Sequence, residues 1–142
     1  EPYIMKEVAV VPGIDGRKMS KSYGNAIPLF AEDAEIEKLV MSIVTDSSAG
    51  VPKNVYEMHK LFRSEKELTA LYAEKEGKYK ELKEALIADI KEFIAPLRAK
   101  RAAIAGDKSA VLKILKDGGE KARAIAEKKM EDVREKIGVK LY

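Results

Sequence analysis

The sequence has no cysteine and only one histidine, His59. The first absence excludes disulfides and thiolate metal sites, and the second argues against a histidine-built zinc or catalytic centre. No metal site is expected. No apolar run approaches the roughly 18 residues of a membrane span, so no membrane partner is expected. The first residues lack the basic-then-apolar pattern of an export signal, and a cytoplasmic protein is the simplest reading. No segment repeats and none is low in complexity.

What remains is a chain of 142 residues, 46% hydrophobic and 36% charged. That is enough for a domain with a real core, and the mix suits a soluble helical protein. Residue 1 is Glu rather than Met, which suggests a fragment of a longer protein. The net charge of +3 is unevenly spread. Arg98 to Tyr142 holds 13 Lys/Arg against 7 Asp/Glu, and the rest holds 14 against 17. A basic C-terminal third points weakly to nucleic acid, and a solvated lysine-rich helix face explains it as well.

Residues 3–11 are apolar and valine-rich and read as a short strand or extended stub. Residues 12–28 form a loop with glycines and two prolines, long enough to suggest a function. Helical patterns follow Pro28. Ile36, Leu39, Val40 and Ile43 share one face. Asn54 with Glu57 resembles a capping pair for a second helix, and Ser64 with Glu67 fits a capping box for a third. From about Lys80, Leu82, Leu86, Ile90, Phe93 and Leu97 form one stripe, with Pro96 expected to kink or end the helix. A short helix is expected around Val111, Ile114 and Leu115, then a break at Gly118-Gly119. A last helix with Ala122, Ala126, Met130, Val133 and Ile137 on one face should end at Gly138. The fold class is therefore mostly α, a helical bundle preceded by a strand-like stub and a loop. Residues 1–30 separate from a helical domain over 31–142.

The chemistry concentrates in Gly13-Ile14-Asp15-Gly16-Arg17-Lys18-Met19-Ser20-Lys21-Ser22. Two lysines three apart, interleaved with hydroxyls on a glycine-flanked loop, suit a polyphosphate. Lysine brings a compact charge on a flexible stem, and hydroxyls and backbone N–H groups can meet phosphate oxygens. Glycines let such a loop close over a ligand, and with few apolar anchors it should be mobile between Gly13 and Asn25. A plain basic surface loop is the competing reading.

The literal string Lys18-Met19-Ser20-Lys21-Ser22 resembles the signature loop of class I aminoacyl-tRNA synthetases, and it sits inside Pro12-Gly13-x-Asp15-Gly16-Arg17 and Tyr23-Gly24-Asn25. Lys38 to Ser47, Tyr79 to Lys83, Pro96-Leu97-Arg98 and Gly118 to Ala126 are similar to the tryptophanyl members, so the resemblance covers nearly the whole chain. It implies ATP-dependent attachment of tryptophan to tRNA(Trp) by a homodimeric enzyme using ATP with magnesium. Lys18, Met19, Ser20, Lys21 and Ser22 would then bind ATP. Lys21 would stabilise the departing pyrophosphate, Lys18 would assist phosphate binding, and Met19 would lie near the adenine.

The family's other signature, His-x-Gly-His, has no counterpart, because His59 is followed by Lys60. The family's tryptophan pocket lies upstream of this region. The resemblance thus implies the C-terminal part of the enzyme, unable to form adenylate alone. It further implies tRNA contacts by Asp46 and Lys83, and the basic residues Arg98 and Arg101 are added as RNA candidates. His59 is expected at the surface or its boundary, and the aromatic residues show no clustering of the stacking kind. A non-catalytic helical RNA-binding or protein-interaction module is the alternative.

Overall fold

A computed structural model describes residues 10–45 and 50–139, so most of the expected N-terminal stub lies outside the described residues. Five α-helices are present among them, and the one β-type contact there is an isolated antiparallel bridge between Pro12 and Lys18. The mostly helical expectation holds. No helix among the described residues is long and apolar enough to cross a membrane. The chain divides into two compact units, one ending at Arg98 and one beginning at Ala99.

In the first unit α1 spans Asp33–Met41. Asp33 and Glu35 place negative charge in its first turn, where the helix dipole favours it. Ile36, Val40 and the following Ile43 are buried, as their spacing predicts. Helix α2 spans Lys53–His59 and buries Val55, Met58 and His59. The expected Asn54–Glu57 cap does not form. Pro52 precedes the helix, Asn54 lies inside it, and the Asn54 amide donates instead to the Val44 carbonyl at 2.8 Å. Helix α3 spans Glu65–Glu74, and here the expected pair does form, with Glu67 accepting from the Ser64 N–H at 2.9 Å.

Helix α4 spans Tyr79–Gly106 and passes through Pro96 without ending there. It buries Leu82, Leu86, Ile87, Ile90 and Ile94. Phe93, placed on the stripe by its spacing, is 55% exposed and meets Phe62 edge to face. One core cluster joins α1, α2 and α4, and Ile14, Met19 and Ile27 from the loop pack against it. A smaller one gathers Leu68, Tyr72 and Leu82.

His59 is not at the surface; it is fully buried. Its Nε2 lies 2.9 Å from Asp89, and its Nδ1 lies 3.1 Å from the Tyr72 hydroxyl. An ionised carboxylate can only accept, so Nε2 carries the proton, Nδ1 accepts, and Tyr72 donates. Arg63 grips the same carboxylate, with Nη2 at 2.7 Å and Nε beside it. Burial pushes the His59 pKa down, partly offset by Asp89. Burial also pushes the Tyr72 hydroxyl up, which keeps it a donor.

In the second unit α5 spans Lys108–Lys136. The expected break at Gly118-Gly119 is absent. Each glycine costs about 1 kcal/mol relative to alanine in a helix interior, and the strong helix formers on both sides carry the helix through. Asp107 caps the start by accepting from the Ala110 N–H at 2.9 Å. The end falls as expected at Gly138, whose φ of 73° lets the Val139 N–H reach back to the Arg134 carbonyl at 2.9 Å.

Candidate functional site

The signature loop is a built structure. Gly13 N–H donates to the Arg17 carbonyl at 2.6 Å, and Met19 N–H to the Val11 carbonyl at 2.8 Å. Lys21–Tyr23 forms a single 3-10 turn, closed by Gly24 in the left-handed region with φ 65°. Within the stretch from Gly13 to Asn25, Ile14 and Met19 pack against the core, and Ile27 does so just beyond it.

Asn25 is the hub of this arrangement. It is 2% exposed. Its Oδ1 accepts from the Ser20 N–H at 2.8 Å, and its Nδ2 donates to Asp15 Oδ1 at 2.7 Å and to the Lys18 carbonyl at 3.2 Å. One short side chain thus ties both limbs of the loop together. A Cβ on Gly13 would lie 2.4 Å from the Asn25 amide, so only glycine allows this close approach.

Asp15 and Arg17 divide the charge. Arg17 Nε donates to Asp15 Oδ2 at 2.7 Å, and its guanidinium lies 4.9 Å from the centre of the Tyr23 ring. Asn25 first, and Arg17 after it, hold the Asp15 carboxyl below its ordinary pKa. Arg17 is therefore committed within the loop. Lys18, Lys21 and Ser22 are exposed, and neither lysine has a carboxylate partner among the described residues. The Ser20 and Ser22 hydroxyls lie 2.9 Å apart. The result, among the described residues, is a surface with two ammonium groups that no carboxylate neutralises and two hydroxyls, on a turn held by hydrogen bonds. That combination can receive a multiply charged anion such as a polyphosphate. Met19 is half-buried and points into the core cluster instead.

Two of the RNA candidates, Lys83 and Arg98, are held by partners within the first unit. Lys83 Nζ donates to the Met41 and Ile43 carbonyls at 2.9 and 2.8 Å, and burial pushes its pKa down. Arg98 pairs with Asp33 and lies 3.9 Å from Glu32. Fifteen positions of helix separate Lys83 from Arg98, about 22 Å at the usual rise. Arg101 is exposed on the second unit. Asp46 lies outside the described residues.

Sequence reasoning gave no role to Asp15, Arg17 or Asn25, although all three stand inside the matched string. Nothing in the sequence marks Asn25 as the partner of Gly13; only the folded loop shows it. No group of three or more His, Asp or Glu side chains among the described residues is placed to hold a metal.

Residues 1–109 match the model of the family described as tRNA synthetases class I (W and Y). A tryptophan–tRNA ligase of Rhodopirellula baltica is 37% identical over 141 residues, covering 93% of this chain and 44% of the relative. One from Fusobacterium nucleatum is 35% identical, with 98% and 45% covered. The solved tryptophanyl-tRNA synthetase of Campylobacter jejuni, complexed with ADP and tryptophan, superposes with a TM-score of 0.81 at 36% identity. That match covers 96% of this chain and 46% of that one. The chain thus spans less than half the length of these relatives.

Proposed function

Because this chain belongs to the class I tRNA synthetases for tryptophan and tyrosine, we propose that it works as the C-terminal part of an ATP-dependent tryptophan–tRNA ligase. In that reaction the tryptophan carboxylate attacks the α-phosphorus of ATP. A bond forms from carboxylate oxygen to phosphorus, the bond to the bridging oxygen breaks, and pyrophosphate leaves with the electrons. Residues 1–30 contribute the end of the catalytic domain, and residues 31–142 contribute the helical tRNA-binding part. The partners are ATP, tryptophan and tRNA(Trp), the intact enzyme is a homodimer, and its compartment is the cytoplasm. Magnesium arrives with the triphosphate.

The observation that supports this reading best is the pair of exposed, unneutralised lysines on a loop locked by Asn25. Preorganised positive charge is most valuable where negative charge develops. Lys21 sits in the 3-10 turn, and we assign it to the leaving pyrophosphate. Lys18, at the bridge to Pro12, holds ground-state phosphate together with the Ser20 and Ser22 hydroxyls. Met19 must leave its packing to reach the adenine, a movement that belongs with loop closure. Asp46, Lys83, Arg98 and Arg101 remain the tRNA candidates. Two of the three Lys83 donors and one face of the Arg98 fork are already engaged within the first unit.

In the intact ligase Lys18→Ala should raise the ATP KM about tenfold while leaving kcat within a factor of about three, the pattern of lost ground-state binding. Steady-state kinetics with varied ATP checks it. An unchanged KM would remove Lys18 from the ATP site.

A further inference from the structure

The matched string stops at Asn25, but the support of the loop does not. The Val44 N–H donates to the Ile14 carbonyl at 2.8 Å, which ties the root of the loop to the segment after α1. That segment is held from two sides. From α2, Asn54 Nδ2 donates to the Val44 carbonyl at 2.8 Å. From α4, Lys83 Nζ donates to the Met41 and Ile43 carbonyls. Those carbonyls lie at the C-terminal end of α1, where a cation is favoured. Asn54 also closes on the loop directly. Gly16, with φ +81°, comes so near that a Cβ there would lie 2.8 Å from Asn54 Nδ2. Buried Ile43 fixes the middle of the strap in the core.

We propose that Asn54 and Lys83 are positioning residues for the ATP-closing loop, acting through the strap 41–44 that carries Ile14. This rests on the ligase reading for its purpose but not for its geometry. The strap sets where the Gly13–Arg17 turn stands. The turn in turn sets where Asn25 and Asp15 hold the limb bearing Lys18 to Lys21. Neither Asn54 nor Lys83 needs to touch ATP.

Three variants separate this role from ordinary stability. Asn54→Asp keeps the shape, removes the donor to Val44, and puts an acid in the first turn of α2, where it favours the helix. Lys83→Met keeps the apolar stem and removes the ammonium, and Lys83→Arg offers a replacement donor. In each of the first two, exchange of the Gly13, Ile14, Met19 and Ser20 amides of this chain should quicken roughly five- to tenfold, as losing one modest hydrogen bond does. The amides of Leu86 to Ile90 should keep their rates, and Lys83→Arg should restore part of the loop protection. Unchanged loop exchange overturns the proposal, and so does equal acceleration in α4. In the intact ligase the same two variants should raise the ATP KM and leave the tryptophan KM alone. A loosened loop with unaltered ATP kinetics overturns the positioning role. Absence of ATP chemistry in the unsubstituted enzyme overturns the ligase reading and leaves the exchange result standing.

Discussion

In the intact ligase, Lys21→Ala should slow adenylate formation roughly 100- to 1,000-fold, the usual effect of removing one preorganised donor worth about 2.7–4 kcal/mol. Tryptophan binding should hardly change. The difference lies in timing. Negative charge on the phosphate oxygens grows as pyrophosphate leaves, so the ammonium contributes more to the transition state than to the bound substrate. Lys21 is suited to this because it is exposed, has no carboxylate partner among the described residues, and stands on a turn whose preceding residue is pinned by Asn25. Arg17 could not substitute, because Asp15 and Tyr23 already hold it. Lys21→Arg should rescue only in part, since a planar fork does not reproduce a compact ammonium. Pre-steady-state measurement of the adenylate decides the matter. A chemical rate within about threefold of the unsubstituted enzyme, under 1 kcal/mol by the rate arithmetic, would remove Lys21 from the chemistry.

The second large effect is on stability. Asp89→Ala should destabilise this chain by about 3 kcal/mol, the lower end for a broken buried pair, because Arg63 is partly exposed and can turn to water. His59 cannot turn away; it is fully buried, and its Nε2–H would lose its acceptor. The pH dependence has two windows. Burial lowers the His59 pKa from its ordinary 6.5, so the unfolded chain binds the proton more readily than the folded one. Stability is complete above about pH 6.5 and falls as the pH drops below it. Burial raises the Asp89 pKa, but the Arg63 and His59 contacts outweigh it and leave it below 3.8, so its contribution is lost only in stronger acid. Denaturant midpoints between pH 7.5 and 5 should fall in the unsubstituted chain. A midpoint flat over that range, or a loss under about 1 kcal/mol in Asp89→Ala, would contradict this account of the cluster.

The helices were legible where periodicity and local capping decide the outcome. Ile36, Val40 and Ile43 share a face in sequence and are buried together, and Glu67 sits three residues after Ser64 as the capping box requires. Local signals misled where a distant partner or a long element outweighed them. Asn54 looks like a cap, yet its amide is claimed by Val44 ten residues away. Gly118-Gly119 looks like a break, yet α5 runs through both, since the cost of two glycines is shared by a 29-residue helix. A lone histidine in a polar stretch looks exposed, and the two partners that satisfy His59 lie 13 and 30 residues away. The loop was legible as a string of residue types suited to phosphate. Its internal bonding was not, because it depends on a buried asparagine whose bonds span five to ten residues.

The most direct measurement is tryptophan-dependent exchange of pyrophosphate into ATP, made on the purified chain alone and on the chain joined to the upstream portion that its relatives carry. The account predicts no exchange above background from the chain alone, and robust exchange from the joined protein that is lost on Lys21→Ala. Exchange by the chain alone, or exchange in the joined protein that survives Lys21→Ala unchanged, would contradict it.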